Sequence, residues 1–154
     1  MTYNDFIHSL NGEQLAFVGN LNAYLLEHKC KAVFEEKKTG LLGSYKFGKP
    51  PKALINLFLK KHGLLVRIYG ENLDSYRTVL NSLPPQMVQE IDSAGNCKRL
   101  VSGGCSPKCN GYDFTIEQNH FQKCRYGGLE FLVTTDSAPF IKMLTEKELG
   151  ARMQ

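Results

Sequence analysis

The sequence predicts an α+β fold, in which an antiparallel sheet packs against N-terminal, central and C-terminal helices. Apolar residues recur at helical spacing near both ends of the chain, whereas strand-like segments follow one another between residues 31 and 69. A chain of 154 residues with 42% hydrophobic residues is long enough to form its own core. We therefore expect a single domain over residues 1–154, with a cysteine-rich loop and hairpin module at residues 95–128 inside it.

The N-terminal residues predict two helical segments. Asn11 is placed to cap a helix over residues 13–28, and a shorter helical turn over residues 3–10 precedes it. The apolar positions at helical spacing in the longer helix are Leu15, Val18, Leu21 or Leu25, and Leu26.

Four strands are predicted next, over residues 31–37, 44–48, 53–60 and 64–69. We expect a turn at residues 40–44 and a glycine-containing hairpin loop at residues 61–63. The last two strands are the most apolar, which places them in the middle of a sheet that is buried on one face.

Two helical segments lead into the cysteine-rich module. Asn72 or Asp74 is expected to cap a helix over residues 73–82, and Pro84-Pro85 begins a helical turn that runs to about residue 91.

A hairpin strand, a last strand and a closing helix complete the prediction. In the module, apolar residues alternate with polar ones as in a half-buried strand, at Tyr112, Phe114 and Ile116. A strand over residues 129–134 precedes a helix that Thr135 or Asp136 would cap. The residues of that helix expected to face inward are Phe140, Ile141, Leu144 and Leu149.

Four of the five cysteines lie within 28 residues at the spacing C-x7-C-x3-C-x14-C, namely Cys97, Cys105, Cys109 and Cys124. Structural zinc is typically held by four such side chains on short loops and hairpins, and the C-x3-C pair falls within the usual ligand spacing. Turns are expected at Gly103, Gly104 and Pro107. Cations next to the cysteines in sequence would favour thiolates, at Lys98, Arg99, Lys108, Lys123 and Arg125. The sequence therefore predicts a structural zinc site with these four cysteines as ligands.

Other interpretations of the cysteines remain open. Free thiols often fill small cores. A reactive thiol at Cys105 or Cys109 would also benefit from basic neighbours and would serve redox or enzyme chemistry. Disulfides are a further alternative, although the start MTYNDF shows no basic region followed by an apolar run, so we expect a cytoplasmic protein with reduced thiols.

Positive charge is concentrated in residues 29–69, which contain ten Lys or Arg residues and two Glu residues. Between Lys46 and Lys61, lysines interleave with aromatic residues, a pattern that a ligand- or nucleic-acid-binding sheet would show. The same alternation fits aromatic residues in the core and lysines in solvent, and we favour that interpretation. Binding of a small molecule or of a protein partner remains a further alternative. The apolar runs are too short to predict a membrane span.

Sequence motifs of catalysis are missing. The four histidines show neither an HExxH motif nor the spacing of paired zinc ligands. His120, four residues before Cys124, is the candidate to replace a cysteine ligand, and we favour a turn position for it. Phosphate-binding loops and nucleophile elbows are also missing from the sequence. We therefore expect a binding or interaction domain rather than an enzyme.

Several segments resemble a loose group of small uncharacterised bacterial proteins with a C-terminal cysteine module. They are KKHGLLVRIYG at residues 60–70, CKRL at 97–100, the run C-x3-C-x-GYDFTI…KCRY at 105–126 and PFIKMLTEKEL at 139–149. This resemblance covers roughly residues 44–149 and implies no particular activity. More distantly, the strand-rich part with its KKHG turn is similar to YdhG-like α+β domains. The cysteine quartet departs from that pattern, which implies an added metal or thiol module.

Overall fold

The computed structural model describes residues 1–106 and 108–154. In this part of the chain, the helices are α1 (Tyr3–His8), α2 (Gly12–Glu27), α3 (Arg77–Asn81), α4 (Pro85–Ser93), α5 (Lys98–Val101) and α6 (Ala138–Arg152). The strands are β1 (Lys31–Lys37), β2 (Gly40–Phe47), β3 (Lys52–Lys60), β4 (Gly63–Ile68), β5 (Tyr112–Ile116), β6 (Asn119–Lys123) and β7 (Glu130–Leu132). The α+β class is confirmed. Among the described residues, no helix is long and apolar enough to cross a lipid bilayer.

Five strands form an antiparallel sheet in the order β1-β2-β3-β4-β7, and β5 and β6 form a separate hairpin. The prediction that the two most apolar strands lie centrally is confirmed. The predicted turn at residues 40–44 is wrong, because these residues begin β2. Gly43 provides space rather than a turn, since a Cβ atom there would lie 2.8 Å from the Phe34 ring.

The core lies between the helices and one face of this sheet. From α2, the buried side chains are Phe17, Val18, Leu21 and Leu25. Leu15 and Leu26, which were expected on the buried face, are 42% and 49% exposed. The buried face of α2 therefore includes Phe17 and excludes Leu15 and Leu26, so it is rotated about the helix axis relative to the predicted face.

Side-chain caps match the prediction at the first long helix only. Asn11 caps α2 and forms a capping box with Gln14, as expected. Asn72 and Asp74 do not cap α3, since residues 73–82 begin with a 3₁₀ turn, and the Asn72 amide instead donates to Glu148. The closing helix begins three residues after Thr135, whose hydroxyl donates to Glu13 rather than capping it.

A buried ion pair fixes α6 against the sheet. The Glu148 carboxylate is fully buried and accepts a hydrogen bond from Arg152 Nε at 2.9 Å. It also accepts from the Asn72 amide groups and from the Tyr76 hydroxyl. The Arg152 guanidinium donates further to the backbone carbonyls of Ala53, at 2.9 Å, and Tyr69, at 2.6 Å. This cluster joins α6 to β3, to the end of β4 and to the 3₁₀ turn.

Candidate metal centre

A short antiparallel bridge holds two of the four predicted ligands. Asn96 pairs with Lys123, and the Cys97 N–H donates to the Gln122 carbonyl at 2.9 Å. The Cys124 N–H donates to the Gly95 carbonyl at 2.8 Å on the other side of the bridge. Cys97 follows Asn96 and Cys124 follows Lys123, so both side chains point to the face opposite to that of the bridged pair. Cys97 and Cys124 are therefore diagonal neighbours on one face of the ladder.

The chain turns sharply after Cys124. The amides of Gly127 and Gly128 both donate to the Cys124 carbonyl, at 3.2 and 2.7 Å. A Cβ atom at Gly128 would lie 2.8 Å from that carbonyl oxygen and 2.9 Å from the Tyr112 ring. Gly128 thus allows the chain to turn tightly after Cys124.

Gly111 brings the loop that carries the other two cysteines onto Cys97. The Cys97 side chain is buried, and a Cβ atom at Gly111 would lie 2.3 Å from its sulfur. Only glycine fits at this approach, because any Cβ atom would overlap the thiol. Cys109 is two residues earlier, so the close contact at Gly111 places it near Cys97.

Cys105 and Cys109 lie on the loop between α5 and β5. Cys105 is exposed and Cys109 half-buried. The Cys109 amide donates to the Ser106 carbonyl at 3.0 Å, and its own carbonyl accepts from the Arg99 guanidinium at 2.9 Å. The predicted turn at Gly103 is consistent with its φ of 74°, whereas Pro107 lies outside the described residues.

The environment of the Cys109 thiol contains the other three predicted ligands. Its pKa is raised, first by partial burial, then by the hydrogen bond and the Coulombic interaction with Cys105, and further by Coulombic interaction with Cys97 and Cys124. Mutual repulsion of this kind keeps neighbouring thiols protonated until a cation offsets their charge. In the part of the chain that the structure describes, however, no group of three or more His, Cys, Asp or Glu side chains is arranged to hold a metal ion. Cys97, Cys105, Cys109 and Cys124, as the structure places them, therefore do not form a metal site.

The expected cations are only partly near the cysteines: Arg99 donates to the Cys109 carbonyl, and Lys108 and Arg125 line a cavity together with Cys105 and Cys109. The Lys123 ammonium is buried and donates to the carbonyls of Asp92 and Ala94 at the end of α4. Arg125 pairs with Glu71, and its guanidinium lies 5.5 Å from the centre of the Tyr69 ring. These contacts attach the module to α4 and to the sheet. They give no reason for the Cys109 pKa to fall.

The remaining candidate ligands lie in other contexts. His120 lies in β6 rather than in a turn. Its Nε2 atom is hydrogen-bonded to Asp113 Oδ1 at 2.5 Å. The hydrogen bonds from His120 and Gln122 lower the pKa of Asp113. The fifth cysteine, Cys30, is buried, and burial raises its pKa to about 11.

The basic segment between Lys46 and Lys61 contributes to both faces of the sheet. Tyr45 is fully buried and Phe47 packs against the core, as we favoured. Phe58 differs, because it lies on the opposite face beneath the Lys60 ammonium, at 5.4 Å, and the Arg67 guanidinium, at 4.8 Å from its ring centre.

Comparison of the chain with known protein families, with curated proteins and with solved structures found no match.

Proposed function

We propose that the chain is a binding or interaction domain whose cysteine module, formed by Cys97, Cys105, Cys109 and Cys124, takes one structural Zn²⁺ ion. The observation that supports this proposal is geometric: Cys97 and Cys124 lie on one face of the Asn96–Lys123 bridge, and Gly111 brings the loop with Cys105 and Cys109 against the Cys97 sulfur. Four sulfurs from one bridge and one loop are the donor set that structural zinc prefers.

The local fold supports the same proposal. Cys97 and Cys124 are fixed by the bridge and the glycine turn, whereas Cys105 and Cys109 lie on one loop beside them. Movement of this single loop toward the bridge would complete the site. Zinc bound there would join the loop, the hairpin and α5, and its binding free energy would add directly to the stability of the module.

Elemental analysis tests the zinc site. We expect one zinc ion per chain in protein purified without chelator, and loss of that ion in Cys109→Ser. Cys30→Ser is the matched control, because Cys30 is buried in the main core and should leave the zinc content unchanged. Absence of metal from freshly reduced protein, after exposure to a small excess of zinc, would refute the proposal.

A thiol-based redox function is the second candidate. The interaction between the Cys105 and Cys109 thiols favours it, since two adjacent thiols are oxidised readily to a disulfide. The raised pKa of Cys109 does not favour it, because a reactive cysteine needs a lowered pKa. Iodoacetamide labelling near neutral pH separates the two functions: rapid labelling of one cysteine supports redox chemistry, and slow labelling of all four in zinc-containing protein supports the metal site.

A further inference from the structure

The sheet has a second face, directed away from the helices, that carries a row of apolar side chains. Register pairs Leu42 with Phe58, Phe58 with Leu65, and Leu65 with Leu132, so the row crosses four adjacent strands. We call these four residues the outer stripe. Leu132 is 36% exposed and the other three are partly exposed.

The outer stripe is separate from the main core. The core cluster and the side chains packed against it include the inward neighbours Leu41, Leu57 and Leu59 but none of the four stripe residues. Val33, on the same face of β1, is 54% exposed. Single exposed apolar residues are common on proteins, whereas a contiguous row on an open sheet face is typical of an interaction site.

The charged side chains around the stripe are mostly cations. Alternation along the strands places five cations on this face, at Lys31, Lys37, Lys46, Lys60 and Arg67. Both carboxylates on this face form salt bridges with two of these cations, Glu35 with Lys37 and Glu130 with Arg67 at 2.8 Å. Among the described ion pairs, none involves Lys31, Lys46 or Lys60. The face therefore combines an apolar centre with positive charge that is not offset.

We infer that this face binds an acidic amphipathic segment of a partner protein. Three strand spacings separate Leu42 from Leu132, about 14 Å, which a helix of about ten residues would span. Apolar side chains on one side of such a helix would cover the stripe, and its Asp and Glu residues would meet the lysines. This inference deepens the proposed function, because it names the surface and partner of the binding domain, but it does not require the zinc ion.

Nucleic acid fits this face less well. Bases bind open sheets by stacking on exposed aromatic rings. Phe58 is the aromatic side chain of the stripe, and Lys60 and Arg67 already lie over its ring. The other three stripe residues are leucines, which favour apolar side chains over bases.

Fluorescence anisotropy with a labelled synthetic peptide tests the inference. The probe has about 14 residues, with leucines on one helical face and glutamates elsewhere. We expect saturable binding that weakens as salt is added, and no binding of a peptide with the same composition in scrambled order. Zinc content is measured on the same samples, so failure of the zinc site and failure of this surface remain distinguishable.

Variants locate the binding. Leu65→Ser should weaken peptide binding by about tenfold or more, because it places a hydroxyl group in the centre of the stripe. The double change Lys46→Glu and Lys60→Glu should do the same without altering the stripe, which keeps the test valid if Leu65→Ser folds poorly. Lys147→Glu, an exposed charge reversal on α6, is the matched control and should change affinity less than twofold.

Four results would overturn the inference. They are failure of the acidic peptide to bind at millimolar concentration, equal binding by the wild type and both face variants, tighter binding of a single-stranded oligonucleotide than of the peptide, and a dimer in ultracentrifugation that Leu65→Ser converts to monomer. The last result would assign the face to a second copy of the chain.

Discussion

Replacing Glu148 by alanine should strongly destabilise the fold. The carboxylate is fully buried and accepts four hydrogen bonds, from Asn72 N, Asn72 Nδ2, the Tyr76 hydroxyl and Arg152 Nε. Its removal leaves the Arg152 guanidinium, whose side chain is only 9% exposed, without its counter-ion. Breaking a buried ion pair from one side costs about 3–5 kcal/mol. Against a total stability of about 5–15 kcal/mol, that is a large fraction.

Urea denaturation at neutral pH measures the effect. With a slope of about 2 kcal/mol per molar urea, the midpoint should fall by about 2 M. Glu146→Ala is the matched control, because Glu146 lies on the same helix in a partly exposed pair with Lys142 and should change the stability by less than about 0.5 kcal/mol. A loss below about 1 kcal/mol for Glu148→Ala, or a loss equal to that of Glu146→Ala, would refute the assignment of Glu148 as the centre of this cluster.

Three further predictions concern the module and the thiols. Gly111→Ala should lower the free energy of unfolding by about 1–3 kcal/mol and reduce zinc content, because its Cβ atom would lie 2.3 Å from the Cys97 sulfur. Gly95→Ala is the control, because there is open space at its Cβ atom. Equal unfolding midpoints for the two variants would contradict the close approach at Gly111. Lys123→Met should lower the free energy of unfolding by about 2 kcal/mol, since the α4 carbonyls lose a buried cation, and an unchanged urea midpoint would contradict this. Burial raises the pKa of Cys30 to about 11, so the unfolded chain loses this proton at lower pH than the folded chain does. The free energy of unfolding should therefore fall by about 2 kcal/mol as pH rises from about 9 to 11. Urea titrations over this pH range should show a smaller loss for Cys30→Ala, and an equal loss in the variant and the wild type would rule out this cause.

The order of elements was predictable because each depends on local pattern. Apolar runs joined by a glycine-containing loop predicted β3 and β4, alternating apolar residues predicted β5, and the Asn11 cap predicted the start of α2. The turn at residues 40–44 was mispredicted for a physical reason. Glycine is common both in turns and where a side chain needs space, and the Phe34 ring that requires Gly43 comes from another strand.

Sequence spacing could name candidate ligands for the site, but it could not predict their surroundings. Cysteine spacing selected Cys97, Cys105, Cys109 and Cys124 as candidate ligands, and as the structure places them they do not form a metal site. Because Lys123 is next to Cys124 in sequence, we expected its ammonium group to offset the charge of the thiolates. Its long side chain instead reaches a backbone carbonyl of α4, a contact that only the tertiary fold determines. The outer stripe could not be derived from sequence, because strand register decides which apolar residues align across a sheet.

X-ray absorption at the zinc edge tests the central claim most directly. We predict that zinc-loaded protein shows four sulfur ligands at about 2.3 Å, with no nitrogen or oxygen in the first coordination shell. Cys109→Ser should then show fewer than four sulfurs or no bound zinc, and Cys30→Ser should give the wild-type spectrum. A first shell of nitrogen and oxygen ligands in the wild type, or a spectrum that Cys109→Ser leaves unchanged, would contradict a site formed by Cys97, Cys105, Cys109 and Cys124.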